Sequence, residues 1–243
     1  MHISGSTPPP RRYRPSLLPA VAVLLLLLSC STDERPPDES KGQTEGITFF
    51  DVGDKTVFSD ALRERLSKNL GPDAIEYRGT IDLEFNEKGF LQRHFPGLDR
   101  LNQRLNTPAG ERVEHNTVKL VFRYAARENL PFSYVELVFS SATGQPLFIQ
   151  IRSRKDLADI IQTLEAKYGP PQTIDQPAVA GRHFFWTDRG DVLLVSIVPT
   201  WRGDEESRLV IYYVDNLEKL IAAEEKERRE KEEERRRAGE KIF

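Results

Sequence analysis

A chain of 243 residues with 38% hydrophobic and 30% charged side chains can bury a sizeable core and is too polar for a multi-span membrane protein. Its formal charge is −3; the three arginines Arg11, Arg12 and Arg14 precede every acidic residue, so the chain beyond them is more acidic still. That balance argues against nucleic acid as the main partner, since phosphate binding needs a basic face.

The N-terminus has the parts of a secretory signal peptide: a basic start at 11–14, a short apolar stretch from Leu17 to Leu28, and small Ser29 before Cys30. The apolar stretch is too short for a membrane span, which needs about 20 residues. The quartet Leu27-Leu28-Ser29-Cys30 resembles the lipobox of bacterial lipoproteins. That resemblance implies cleavage between Ser29 and Cys30, a diacylglycerol on the Cys30 thiol and acylation of the new N-terminus. Several acyl chains on one residue make anchoring durable, whereas one chain binds only marginally. Ser31 resembles the outer-membrane class of these lipoproteins, with inner-membrane retention or plain secretion as the alternatives. As the only cysteine, Cys30 also excludes an intramolecular disulfide, a thiolate zinc site and a redox pair.

Residues 31–46 are polar and Pro-containing, the composition of a disordered tether. The folded body is expected over 47–214, as one domain or as two units at about 47–152 and 153–214. Ser59 is a helix N-cap, with Leu62, Leu66 and Leu70 on one face and Gly71-Pro72 as the stop. Ile81, Leu83 and Phe85 alternate with Asp82 and Glu84, which predicts a half-buried strand. A turn at 86–89 then leads into a return strand at Phe90-Leu91, and Leu98, Leu101 and Leu105 space a short helix. Val118, Leu120, Phe122 and Tyr124 predict a strand, and 135–139 with 147–151 a hairpin around Gly144. Ser153 and Asp156 form a capping box for a helix carrying Leu157, Ile160, Ile161, Leu164 and Tyr168. Beyond Gly169-Pro170-Pro171, a hairpin turns at 188–190 and a last strand holds Leu209, Ile211 and Tyr213. The fold class is therefore α+β: an antiparallel sheet, amphipathic helices on one face, and a long charged C-terminal helix over 215–243.

Leu66, Leu70, Gly71 and Pro72 recur 98 positions later as Leu164, Tyr168, Gly169 and Pro170. Gly-Pro is a common helix stop, and a duplication is the other explanation. The segment 153–214, with its helix ending Tyr168-Gly169-Pro170 and an aromatic strand around Trp186, distantly resembles lipoprotein domains of the SmpA/OmlA type. That family assists outer-membrane assembly and places two helices before three strands; no functional residue carries over.

His2, His94, His115 and His183 lack metal-site spacing, and no nucleophile elbow, P-loop or dinucleotide fingerprint occurs. No catalytic residue, metal or cofactor is expected. Asp82 and Glu84 read as the solvated side of a strand. The aromatics Phe184, Phe185, Trp186, Tyr212 and Tyr213 read as core, whereas Trp201, in the polar stretch 201–204, is the candidate partner contact. In the C-terminal helix Leu217, Leu220 and Ile221 dock. From Glu224 to Arg237 no large apolar residue occurs, and Glu224/Arg228, Glu225/Arg229, Glu227/Lys231, Glu232/Arg236 and Glu233/Arg237 stand four apart. The expectation is a non-catalytic lipoprotein facing the periplasm, which contacts the membrane through Cys30 and a further envelope protein through its body. The alternative is a lipid-anchored hydrolase whose site is dispersed through the fold.

Overall fold

A computed structural model describes residues 46–123, 130–153, 158–174, 181–199 and 205–240. The expectations for the signal peptide, Ser29, Cys30, the tether, Tyr124, Asp156 and Trp201 lie outside the described residues.

Helix α1 (Asp60–Leu70) starts where Ser59 Oγ accepts the Leu62 amide at 3.2 Å, and it stops at Gly71, whose φ of 81° suits glycine. Its buried Leu62, Leu66 and Leu70 lie one turn apart. Strand β1 (Asp73–Gly79) follows, then α2 (Phe90–His94), α3 (Pro96–Leu105), β2 (His115–Phe122), β3 (Phe132–Ser140) and β4 (Pro146–Ser153). The second half runs α4 (Ala158–Tyr168), β5 (Gln172–Ile174), β6 (Arg182–Asp188), β7 (Asp191–Pro199), β8 (Glu205–Tyr212) and α5 (Val214–Glu240).

The eight strands of the described residues join one antiparallel sheet in the order β1-β2-β3-β4-β8-β7-β6-β5. Each half is thus one helix followed by a four-stranded meander, and the halves meet where β4 pairs β8. Gln150 faces Val210 there, and an approximate two-fold normal to the sheet through that pair exchanges the halves. The two-residue turn between β6 and β7 needs two left-handed residues, and Arg189 (φ 51°) and Gly190 (φ 92°) supply them.

Side chains alternate across the sheet, and both faces carry a core. On the first face Leu120, Leu137, Ile149, Leu193 and Ile211 pack against α1 and α4. On the second, Val138, Phe148, Leu194, Val210 and Tyr212 pack against α2, α3 and the start of α5. The α+β class, the antiparallel sheet and the long C-terminal helix agree with expectation, but the helices cover both faces rather than one. The physical reason is that both sides of β4, β7 and β8 are apolar, and neither can be left in water.

Two local readings are corrected. The segment 81–85 is extended, and Ile81, Leu83 and Phe85 are buried as their alternation demands, but among the described residues it pairs with no strand. Side chains satisfy its backbone instead: Asn102 Oδ1 accepts the Leu83 amide at 2.9 Å, Tyr212 donates to the Leu83 carbonyl at 2.7 Å, and Asn106 donates to the Ile81 carbonyl at 3.1 Å. Phe90-Leu91 begins α2 rather than a return strand. Glu84 accepts the Gly89 and Leu91 amides at 3.1 and 3.3 Å, neutralising the helix entry.

Residues 46–58 strap the first face. The Tyr213 hydroxyl donates to the Val52 carbonyl at 2.8 Å, Tyr168 Oη accepts the Thr48 amide at 3.0 Å, and Asn216 donates to the Asp54 carbonyl at 2.7 Å. Tyr168 and Tyr213, far apart in sequence, thereby hold the entry of the chain into the body. Trp186 donates to the Gly169 carbonyl at 2.8 Å, which ties β6 to the stop of α4.

The C-terminal helix docks further than its apolar residues alone imply. Glu224 reaches the buried His115 Nδ1 at 2.8 Å and Glu225 reaches Arg104 at 2.9 Å, so neither uses its partner four residues on. The expected Glu227/Lys231 pair forms at 2.5 Å and Glu233/Arg237 at 3.6 Å. Beyond Glu225 the described side chains are exposed, as an arm standing clear of the body requires.

Candidate functional site

One level of the second face breaks the apolar pattern. Cross-strand partners there run Tyr134 on β3, Arg152 on β4, Arg208 on β8, Ser196 on β7 and His183 on β6. Five adjacent strands thus present a polar row, while the level four residues along carries Phe148 opposite Tyr212 and Val192. Arg123, just past β2, extends the row: its guanidinium lies 5.7 Å from the Tyr134 ring centre, and that of Arg152 lies 5.1 Å from it. The Tyr134 hydroxyl donates to Glu136, and Lys119 pairs the same carboxylate at 3.6 Å. Burial, reinforced by that bond and by the Glu136 charge, raises the Tyr134 pKa above the ordinary tyrosine value.

At the centre, Arg208 lies over the buried Phe85 ring at 5.3 Å and donates Nη2 to Gln150 Oε1 at 2.9 Å, while its Nε has no hydrogen-bond partner. Burial lowers its pKa, and the charge of Arg152 adds to that direction. At the far end Asn86 donates to Ser196 at 2.7 Å and lies 3.5 Å from His183 Nδ1, from a left-handed backbone (φ 60°). The His183 ring packs on Phe90 at 5.4 Å, and the His94 ring lies 5.0 Å from the same phenyl. Burial first, and His94 second, lower the His183 pKa, so its neutral form is favoured.

Above Arg208 opens a groove of about 1040 Å³, walled by Asp82, Glu84, Glu87, Asn102 and Asn106. The long connection between β1 and β2 makes these walls. Asp82 and Glu84 do not form a free acid pair: Asp82 accepts from Asn102 at 3.2 Å and from the Glu84 amide at 3.0 Å, and Glu84 is committed to α2. Glu84 is half-buried and structural, which corrects its reading as a solvated strand face.

Among the described residues, Val57 and Tyr77 are the large apolar side chains left exposed, and no group of three metal-ligating side chains occurs. No described helix is long and apolar enough to cross a membrane. Phe184, Phe185, Trp186, Tyr212 and Tyr213 pack in or against the two cores, as read from the sequence. The polar row was not legible as a site. Its only sequence signal is a charged residue breaking each of two apolar strands, Arg152 after Ile151 and Arg208 before Leu209. Comparison of the chain with family models, curated proteins and solved structures returned no match.

Proposed function

We propose that this protein is a lipid-anchored module of the bacterial envelope, held through Cys30 on the periplasmic side of the outer membrane, with a non-catalytic binding role. The observation that carries the anchor is the quartet Leu27-Leu28-Ser29-Cys30 behind a basic, apolar leader. The body supports binding rather than turnover, because Asp82 and Glu84 are fixed by backbone amides and Asn102, and Glu87 by Arg93, so they keep their negative charge while their oxygens are tied down. General acid–base work needs such groups within reach of a substrate proton. A stretch as long as 31–46 cannot reach beyond roughly 55 Å, so a lipid on Cys30 would keep the groove close to the membrane.

Labelling with a radioactive or alkynyl fatty acid tests the anchor. Wild type should take up label and fractionate with membranes, whereas Cys30→Ala should take up none and remain an unprocessed precursor. Normal processing and periplasmic release of Cys30→Ala would sink the lipoprotein reading.

A further inference from the structure

Arg152 and Arg208 are direct cross-strand partners on one face, and Arg123 stands two strands beyond Arg152, with Tyr134 between them. Like charges placed opposite one another destabilise a sheet. Among the described residues none of the three arginines forms an ion pair; the nearby Glu136 is committed to Tyr134 and Lys119. Arg208 also keeps a buried Nε without an acceptor, which costs folding free energy that an aliphatic side chain at that position would not. Such a cluster is unfavourable in the empty fold and favourable once an anion arrives. A planar guanidinium suits a planar carboxylate better than it suits other anions of the same charge.

The groove that opens over Arg208 decides what carries the anion. Asp82, Glu84 and Glu87 outnumber Lys88 on its walls, which also carry Asn102 and Asn106. A multiply charged phosphate would be repelled there, while an ammonium would be drawn to the negative charge. From this juxtaposition of opposed arginines and acidic walls we infer that the groove binds a short peptide, its terminal carboxylate on Arg208, which lines the groove, with the charge of the neighbouring Arg152 beside it, and its amino groups toward Asp82 and Glu84. The inference rests on the binding role proposed above and names the ligand class of that site.

The test uses the full-length protein in detergent micelles and calorimetric titration with Lys-Ala-Ala, its C-terminal amide, acetylated Ala-Ala-Ala and inorganic phosphate. The free acid should bind at least tenfold more tightly than the amide and more tightly than the acetylated peptide or phosphate. Arg208→Gln and Arg152→Gln should each weaken the free acid at least tenfold. Arg152 is exposed, so its variant folds even if the Arg208 variant does not. Arg152→Gln should also raise the thermal midpoint of the unliganded protein, which loss of a merely structural residue would not do. Equal binding of acid and amide, undiminished binding by Arg152→Gln, or binding of none of these probes would overturn the peptide site. Tighter binding of phosphate, or acetylated Ala-Ala-Ala binding as well as Lys-Ala-Ala, would overturn the assignment of a peptide held at both ends. Cleavage of bound Lys-Ala-Ala, read by mass spectrometry, would refute the non-catalytic role while leaving the carboxylate site standing.

Discussion

In the half built on α1 and β1–β4, the connection between the first two strands spans residues 80–114 and carries α2 and α3; in the half built on α4 and β5–β8 it spans 175–181. The two-fold through Gln150 and Val210 places the pair Arg152–Arg208 where its mate is Phe148–Tyr212. At the Phe148 end α3 and α5 close over an apolar surface, and at the Arg208 end the groove stays open over a polar one. The helices on the first face differ as well. Leu62, Leu66 and Leu70 of α1 are fully buried, whereas Ile160, Ile161, Leu164 and Tyr168 of α4 are only partly so. A repeated architecture thus supplies the scaffold, and the candidate site lies where the repeat is broken.

Substitution in the two equivalent helices gives the largest expected difference. Leu66→Ala should cost roughly 2–5 kcal/mol in urea denaturation, the range for a fully buried leucine. Leu164→Ala should cost about 1 kcal/mol, since a half-exposed side chain loses less burial and leaves no closed cavity. Equal losses at the two positions would mean that α4 packs as tightly as α1 and that the halves are energetically alike.

The second contrast is within α5. Truncation after Glu225 should leave the thermal midpoint nearly unchanged while lowering helical circular dichroism. Truncation after Ala223 also removes the acceptor of the buried His115 and should cost about 1–3 kcal/mol more. Identical midpoints for the two truncations would show that the Glu224 contact contributes nothing.

A smaller effect separates the two ends of the second face by pH. Asp191, buried at the root of α5, accepts the Val214 amide at 3.0 Å, and burial pushes its pKa up to about 6 from 3.8. The folded pKa lies above the unfolded one, so this site's stabilising contribution is complete below 3.8 and is lost as pH rises through about 6. Asp191→Asn keeps an acceptor for Val214 and should flatten the midpoint between those values. His183 acts in the opposite sense: its lowered folded pKa contributes stability above the ordinary histidine value of 6.5, lost as pH falls. His183→Gln should remove that acid-side loss. An unchanged pH profile in both variants would mean that neither burial matters to folding.

Smallest of all, Lys231→Ala should leave the midpoint untouched and reduce helicity slightly, a difference that vanishes in 1 M salt because the Glu227–Lys231 pair is exposed. A lowered midpoint would place the arm against the body.

Local chemistry alone determined the helix that starts at Ser59 and stops at Gly71, the turns at Gly144 and at 188–190, and the alternation that buries Ile81, Leu83 and Phe85. Caps, left-handed residues and period-two patterning are properties of a few neighbouring residues, so they can be read without the fold. Only the tertiary structure decided that 81–85 is bonded by Asn102, Asn106 and Tyr212 rather than by a strand, because those partners lie 19, 25 and 129 residues away. It also turned Glu224 and Glu225 from helix-surface charges into contacts with His115 and Arg104. The candidate site belongs wholly to this second class. Tyr134, Arg152, Arg208, Ser196 and His183 share one row only through strand order and register, which are set by long-range pairing that the spacing of these residues along the chain does not encode.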